Sequence, residues 1–133
     1  MSEIEFFLPV LSLVLPLVAL FIERLIPAGY FIEELLKAIL VYLIPEDSDH
    51  KILIGLLVGF LFALTETFIY STSIFLTGGA KLFATRLLVT ALLHTSTTLI
   101  MTISRLKTKK FLPLGFLIGV IIHFIYNVSQ IPF

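Results

Sequence analysis

The sequence predicts an all-α, polytopic membrane helical bundle with about five transmembrane helices. Two observations carry this. Hydrophobic residues make up 59% of the 133 and the mean hydropathy is +1.12. Only 14% of residues are charged, against about 25% in an ordinary soluble domain. Five apolar runs, each near the roughly 20 residues that a crossing needs, are separated by short polar connections.

The first run covers residues 4–22 and is closed by Glu23 and Arg24. Glu3 and Glu5 stand where a signal peptide carries positive charge, so this run is expected to be retained as a span. Pro27 is placed to open a second helix over 27–44, which stops before Pro45. The polar stretch 46–51 leads into a third run over 52–72, and His50 belongs to that solvated loop. Gly78 and Gly79 mark a turn before a fourth run over 81–104. A basic connection with Arg105, Lys107, Lys109 and Lys110 precedes the last run, 111–131. One transmembrane domain over 1–133 is expected, with a four-helix core at about 27–131 behind one extra span.

Several function classes are excluded or left without support. Nine basic and nine acidic residues give no net charge, so nothing points to nucleic acid. Without cysteine there is no disulfide or thiolate site, and a metal has to be held by His and carboxylate. Lys51, Arg105, Lys107, Lys109 and Lys110 fall on the side of the N-terminus, against Arg24 and Lys81 on the other. By the positive-inside rule the N-terminus is cytoplasmic and the C-terminus is outside, in what is expected to be the cell membrane.

The intramembrane polar residues fall into a pattern. Glu33, Glu34 and Lys37 come early in the second helix, Glu66 late in the third, Arg86 early and His94 central in the fourth, and His123 and Asn127 late in the fifth. Successive helices reverse direction, so all but the central His94 gather in the outer half of the bilayer. A charge at the bilayer centre costs about 2.5 to 3.5 kcal/mol on insertion scales, so such a gathering requires a reason. Gly55, Gly59, Phe62, Glu66 and Tyr70 share one helix face, and Gly115, Gly119, His123 and Asn127 share another. Each contains G-x-x-x-G, which permits close helix approach.

Any one of these residues taken alone is as readily an interhelical hydrogen bond. Thr65, Thr67, Thr90, Ser96, Thr97 and Thr98 read as packing residues, and Tyr30, Tyr42, Phe111 and Phe133 as interfacial anchors. Lys37 and Arg86 can serve as counter-ions. Taken together, Glu66, His94 and His123 form an open ligand set suited to catalytic zinc. Glu33 or Glu34 then acts as general base, Lys37 orients it, and Asn127 donates to a developing oxyanion. The same residues also suit a metal-free route in which a glutamate activates water. A small transporter or proton relay, and a non-catalytic scaffold or immunity protein, are the other classes. The first needs a polar path to both faces, whereas the inner halves of three helices are almost wholly apolar.

E-E-x-x-K at Glu33, Glu34 and Lys37, F-x-x-x-E-x-x-x-Y at Phe62, Glu66 and Tyr70, Arg86 followed by His94, and H-x-x-x-N at His123 and Asn127 occur in that order on successive spans. This arrangement resembles the PrsW family of intramembrane proteases, which is related to the CAAX prenyl proteases and bacteriocin-immunity proteins. The resemblance implies a polytopic protease that cuts membrane-anchored protein substrates, such as anti-sigma factors, near the membrane face. It places Glu33, Glu34, Glu66, His94 and His123 in the catalytic group, with Tyr70 and Arg86 supporting. Ala38 stands where the CAAX-type pattern has Arg, which argues against prenyl-protein processing. The chain is short for the family, which leaves room for a second copy, as a homo-oligomer, to complete a substrate groove.

Overall fold

The computed structural model describes residues 2–26 and 28–129. The helix start expected at Pro27, the span end at Ile131 and the anchor at Phe133 lie outside the described residues. Six α-helices follow one another: α1 Glu3–Ser12, α2 Leu15–Glu23, α3 Gly29–Leu43, α4 Lys51–Ile69, α5 Ser71–Ser104 and α6 Leu112–Ser129, with a 3-10 turn at Lys109–Phe111 before the last. No strand occurs among the described residues.

The expected first span is broken. α1 and α2 meet at a bend of 42°, because Pro16 in the first turn of α2 has no N–H to continue the ladder from α1. α3 has only 15 residues, about 22 Å at 1.5 Å per residue, short of a bilayer core of about 30 Å. It stops where Ile44, preceding Pro45, turns extended at φ −57° and ψ 131°. Three segments are long and apolar enough to cross a membrane: α4, α5, and the 3-10 turn with α6. A fourth is added if the bent pair acts as one span. Among the described residues, three or four segments thus have the length and apolarity of a crossing, against about five expected, and α3 packs among them.

α5 continues through the turn expected at Gly78 and Gly79, which appears as a kink. Gly79 has φ +62°, a left-handed conformation that glycine adopts without cost. It divides a short arm, Ser71–Gly78, from the long segment over 80–104. Residues 71 and 72, expected at the end of the third span, belong to that arm, since α4 ends at Ile69.

The long segment of α5 is the axis of the bundle, with α4 and α6 laid against it through their glycines. A Cβ on Gly59 would stand 2.6 Å from the His94 carbonyl oxygen and 2.7 Å from the Thr95 Cα. One on Gly115 would stand 2.9 Å from the Met101 Cα. Leu40, Val41 and Ile44 of the α3 end, Ile54 and Val58 of α4, Met101 of α5 and Leu8 of α1 fill the apolar half of the bundle. Arg105 is buried there, 4% exposed. Its guanidinium donates to the carbonyls of Val41, of Tyr42 at 3.4 Å and of Ile44 at 3.0 Å. Tyr42 and Ile44 offer orphan acceptors at the C-terminus of α3, where a cation is favoured, and the Val41 carbonyl also takes the Ile44 N–H. Glu33, Glu34 and Lys37 of α3 and Glu66 of α4 lie toward the opposite end.

Gly59→Ala forces α4 away from the α5 backbone and is expected to cost about 1 to 3 kcal/mol, the usual range for overpacking. Gly78→Ala brings its Cβ within 2.6 Å of the Leu82 Cβ, which no change of rotamer relieves, but Gly78 is exposed and adjoins the kink at Gly79, so it is expected to cost less than Gly59→Ala. Unfolding of the two variants in the same mixed micelles checks the difference.

Candidate metal centre

α3 carries the first residues of the site. Glu34 and Lys37, three apart, share its inner face and are both 0% exposed. Glu33 is rotated about 100° from Glu34 and looks toward α5 and α6. An ammonium has three donors and no acceptor, and the Lys37 Nζ spends all three. It lies 2.7 Å from Glu34 Oε1, 2.9 Å from His94 Nδ1 and 2.8 Å from Thr97 Oγ1.

The two imidazoles are thereby given opposite hydrogen-bonding roles. His94 Nδ1 accepts from Lys37, so its hydrogen sits on Nε2, which donates to Glu66 Oε2 at 2.5 Å. His123 Nδ1 faces Glu34 Oε1 at 2.8 Å, and the carboxylate oxygen can only accept, so His123 donates there. Its Nε2 then presents a lone pair. The rings stand edge to face with centroids 5.1 Å apart, and Phe62 packs on His94 at 5.1 Å.

Glu33 Oε2 lies 3.6 Å from His123 Nε2 and 3.9 Å from His94 Nε2. It is buried without a hydrogen-bond partner. One ligand atom from each of Glu33, His94 and His123 falls within 4.8 Å of the others. Tetrahedral zinc with N and O ligands at about 2.0 to 2.2 Å sets those atoms about 3.4 Å apart, so the two Glu33 contacts, at 3.6 and 3.9 Å, need to close by about half an ångström or less. A lone pair and an orphan carboxylate oxygen that face each other inside protein need a positive centre between them. The donor set therefore fits a divalent cation. Such an ion has to replace the hydrogen that His94 Nε2 gives to Glu66.

The structure thus brings Glu33, Glu34, Lys37, Glu66, His94 and His123 into one cluster. The carboxylate closing the three-residue ligand group is Glu33, because it reaches between the two rings, while Glu66 takes the hydrogen-bonding place on His94. The other expected site residues stand at the rim. Asn127 is one turn past His123 on α6 and exposed. Arg86 is exposed, with its guanidinium 5.7 Å from the Tyr70 ring at the end of α4. Arg86, Val89, Tyr126 and the Ser71–Gly78 arm border an open cavity of about 600 Å³. That cavity adjoins the cluster through Tyr126, whose ring is 6.4 Å from His123.

Three residues join that the sequence reading set aside. Thr97, read as packing, contacts Lys37, and its place three residues after His94 on the same face was the available signal. Tyr30, read as an anchor, lies edge-on to His123 at 6.5 Å. Glu23, read as the end of a span, sets its carboxyl against the Cα of Gly29, one turn before Glu33 on α3.

Two histidines and a glutamate converging inside an apolar helical bundle define the class of membrane-embedded metallohydrolases. Residues 6–132 match the PrsW family of intramembrane metalloproteases, and the chain belongs to that family. No curated protein and no solved structure matches it. The protein is accordingly an integral membrane peptidase whose substrates are membrane-embedded proteins.

Removing one partner of a buried ion pair leaves the other charge uncompensated, at a cost of about 3 to 5 kcal/mol. Lys37→Met is expected to lose that much stability, and the double variant Lys37→Met with Glu34→Gln to regain part of it. Chemical unfolding of the single and double variants in micelles provides the comparison.

Proposed function

We propose that this peptidase hydrolyses a peptide bond of membrane-anchored proteins close to the external membrane face, with Glu33, His94 and His123 holding a zinc ion. The observation that carries this is the orphan Glu33 Oε2 facing both imidazole Nε2 atoms. Zinc supplies a Lewis acid for the scissile carbonyl and lowers the pKa of water toward neutrality.

The chain's own residues supply the rest. Glu66, partly open to solvent at 16% of its side chain, takes the proton from the attacking water and passes it to the leaving amine as the C–N bond breaks. Glu34 is fully buried and committed to Lys37 and His123, so it serves as a positioning carboxylate rather than a base. Glu34 accepts the His123 Nδ1–H, as carboxylate partners of metal-ligating histidines do, and Lys37 holds the His94 ring by donating to its Nδ1. Asn127, exposed one turn beyond His123, is the donor for the carbonyl oxygen as negative charge develops on it.

The cytoplasmic placement of the N-terminus is supported by Lys51, Lys107, Lys109 and Lys110. These lie at the end of the bundle away from the cluster. The cluster then opens toward the extracytoplasmic side of the cell membrane.

Purified protein in lipid with a membrane-anchored reporter tests the reading. Glu33→Gln is expected to lose bound zinc and to cut about 10² to 10⁴ times more slowly. Glu66→Gln is expected to slow by a similar factor while keeping the metal. Chelation is expected to abolish cleavage and added zinc to restore it. Cleavage that persists in chelator, or at wild-type rate in Glu33→Gln, overturns the assignment.

A further inference from the structure

Arg86 takes no part in the cluster of acids and imidazoles, yet a guanidinium on a membrane-crossing helix is costly unless something anionic meets it. Among the described residues it enters no ion pair. It is exposed, and the Tyr70 ring lies 5.7 Å from its guanidinium carbon. Such a ring orients a planar cation without neutralising it.

Arg86 borders the open cavity of about 600 Å³ that adjoins the cluster through Tyr126, and among the described residues it is the one charged side chain on the wall. The hydroxyls of Thr77 and Thr85, also on that wall, are turned back onto the Ser73 and Lys81 carbonyls, each at 3.0 Å. The guanidinium, with its fork of N–H donors, is therefore what the cavity holds out to an incoming acceptor. Its distance from the imidazoles is set by the helix. The break in α5 is at Gly79, so residues 86–94 are regular, and eight residues place Arg86 about 12 Å along the axis from His94. A substrate has to leave its own helical hydrogen bonds to expose a carbonyl to attack, and an extended chain advances about 3.3 Å per residue. About three to four residues of unwound substrate thus span the interval from the cut bond to Arg86.

We propose that Arg86 sets substrate preference: the cavity takes the unwound stretch of the substrate, and the guanidinium pairs with an Asp or Glu carboxylate about three or four residues from the cut bond. This rests on the reading of the cluster as the hydrolytic centre. A lysine in the same place meets like charge, so the discrimination comes from repulsion as well as attraction.

The test uses the full chain in micelles and a membrane-anchored reporter whose cut bond has been mapped, with Asp or Lys placed three or four residues before or after that bond. In the wild type, Asp at one of these places is expected to raise kcat/KM by about 10-fold over Lys, chiefly through KM. Arg86→Glu is expected to invert the order. The quantity read is the Asp-to-Lys ratio within each protein, so a general loss of activity in the variant cancels. Should Arg86→Glu fail to fold, Arg86→Gln replaces it and is expected to flatten the ratio. Equal cutting of Asp and Lys reporters by the wild type overturns the proposal, and so does a preference that the Arg86 variant leaves standing. Stimulation by anionic phospholipid without an Asp preference assigns the guanidinium to a headgroup and also overturns it. If the wild type cuts no reporter, the hydrolytic reading of the cluster fails, and the cavity is judged by binding of the same reporters, followed by energy transfer between labelled protein and labelled reporter. Tighter binding of the Asp reporter, inverted in the Arg86 variant, supports the proposal; equal binding overturns it.

Discussion

The ammonium of Lys37 is the point on which the site depends. A charge of this kind inside the bilayer costs about 2.5 to 3.5 kcal/mol on insertion scales, and it is tolerated because every hydrogen is placed: on Glu34, on His94 and on Thr97. These bonds tie α3 to α5. Glu34 then extends the tie to His123 on α6. The same network makes the two imidazoles unequal. One accepts at Nδ1 and offers its hydrogen to Glu66. The other donates at Nδ1 and offers a lone pair to Glu33. A single buried cation thus arranges three helices and assigns hydrogens at two rings.

Such a network forms only if the helices come close enough, and the glycines of α4 and α6 permit that. Gly59 lies against the backbone at His94, and Gly119 lies within reach of Glu34 Oε2, where a Cβ would stand 3.2 Å from the oxygen. Close approach runs along α5: Gly55 meets Thr102 and Gly115 meets Ser104 toward the Arg105 end, while Gly59 and Gly119 bring the polar residues together at the other. The larger apolar side chains, Leu40, Ile54, Val58 and Met101, fill the end where Arg105 closes α3.

Much of this was legible from spacing. The faces bearing Gly55, Gly59 and Glu66, and Gly115, Gly119 and His123, are set by the helical repeat, and reversal of successive helices put the acids and imidazoles at one end. Other details were not legible. Glu33 and Glu34 are adjacent and chemically identical, and only the rotation of α3 decides which faces the imidazoles and which is buried on Lys37. Glu23 looks like the polar end of an apolar run because its neighbour, Gly29 at the start of α3, is reached across a turn. Arg86 is eight residues before His94, far enough for the stripe to drift around the helix and leave it on the rim. The shortness of α3 was hidden because apolar residues continue to Ile44, whereas the ordered helix begins only at Gly29.

The closure of α3 by Arg105 bears on how the molecule can move. With Lys37 bound to α5 at one level and the carbonyls of Val41, Tyr42 and Ile44 bound to the Arg105 guanidinium at another, α3 and the 80–104 segment form a truss with two separated struts, which resists both sliding and rotation. The Ser71–Gly78 arm, which borders the cavity beside Tyr126, stands outside that truss: it joins the long segment at Gly79 and rests on it through Phe75 stacked on Phe83, so the wall of the cavity and the bracing of the cluster are carried by different contacts.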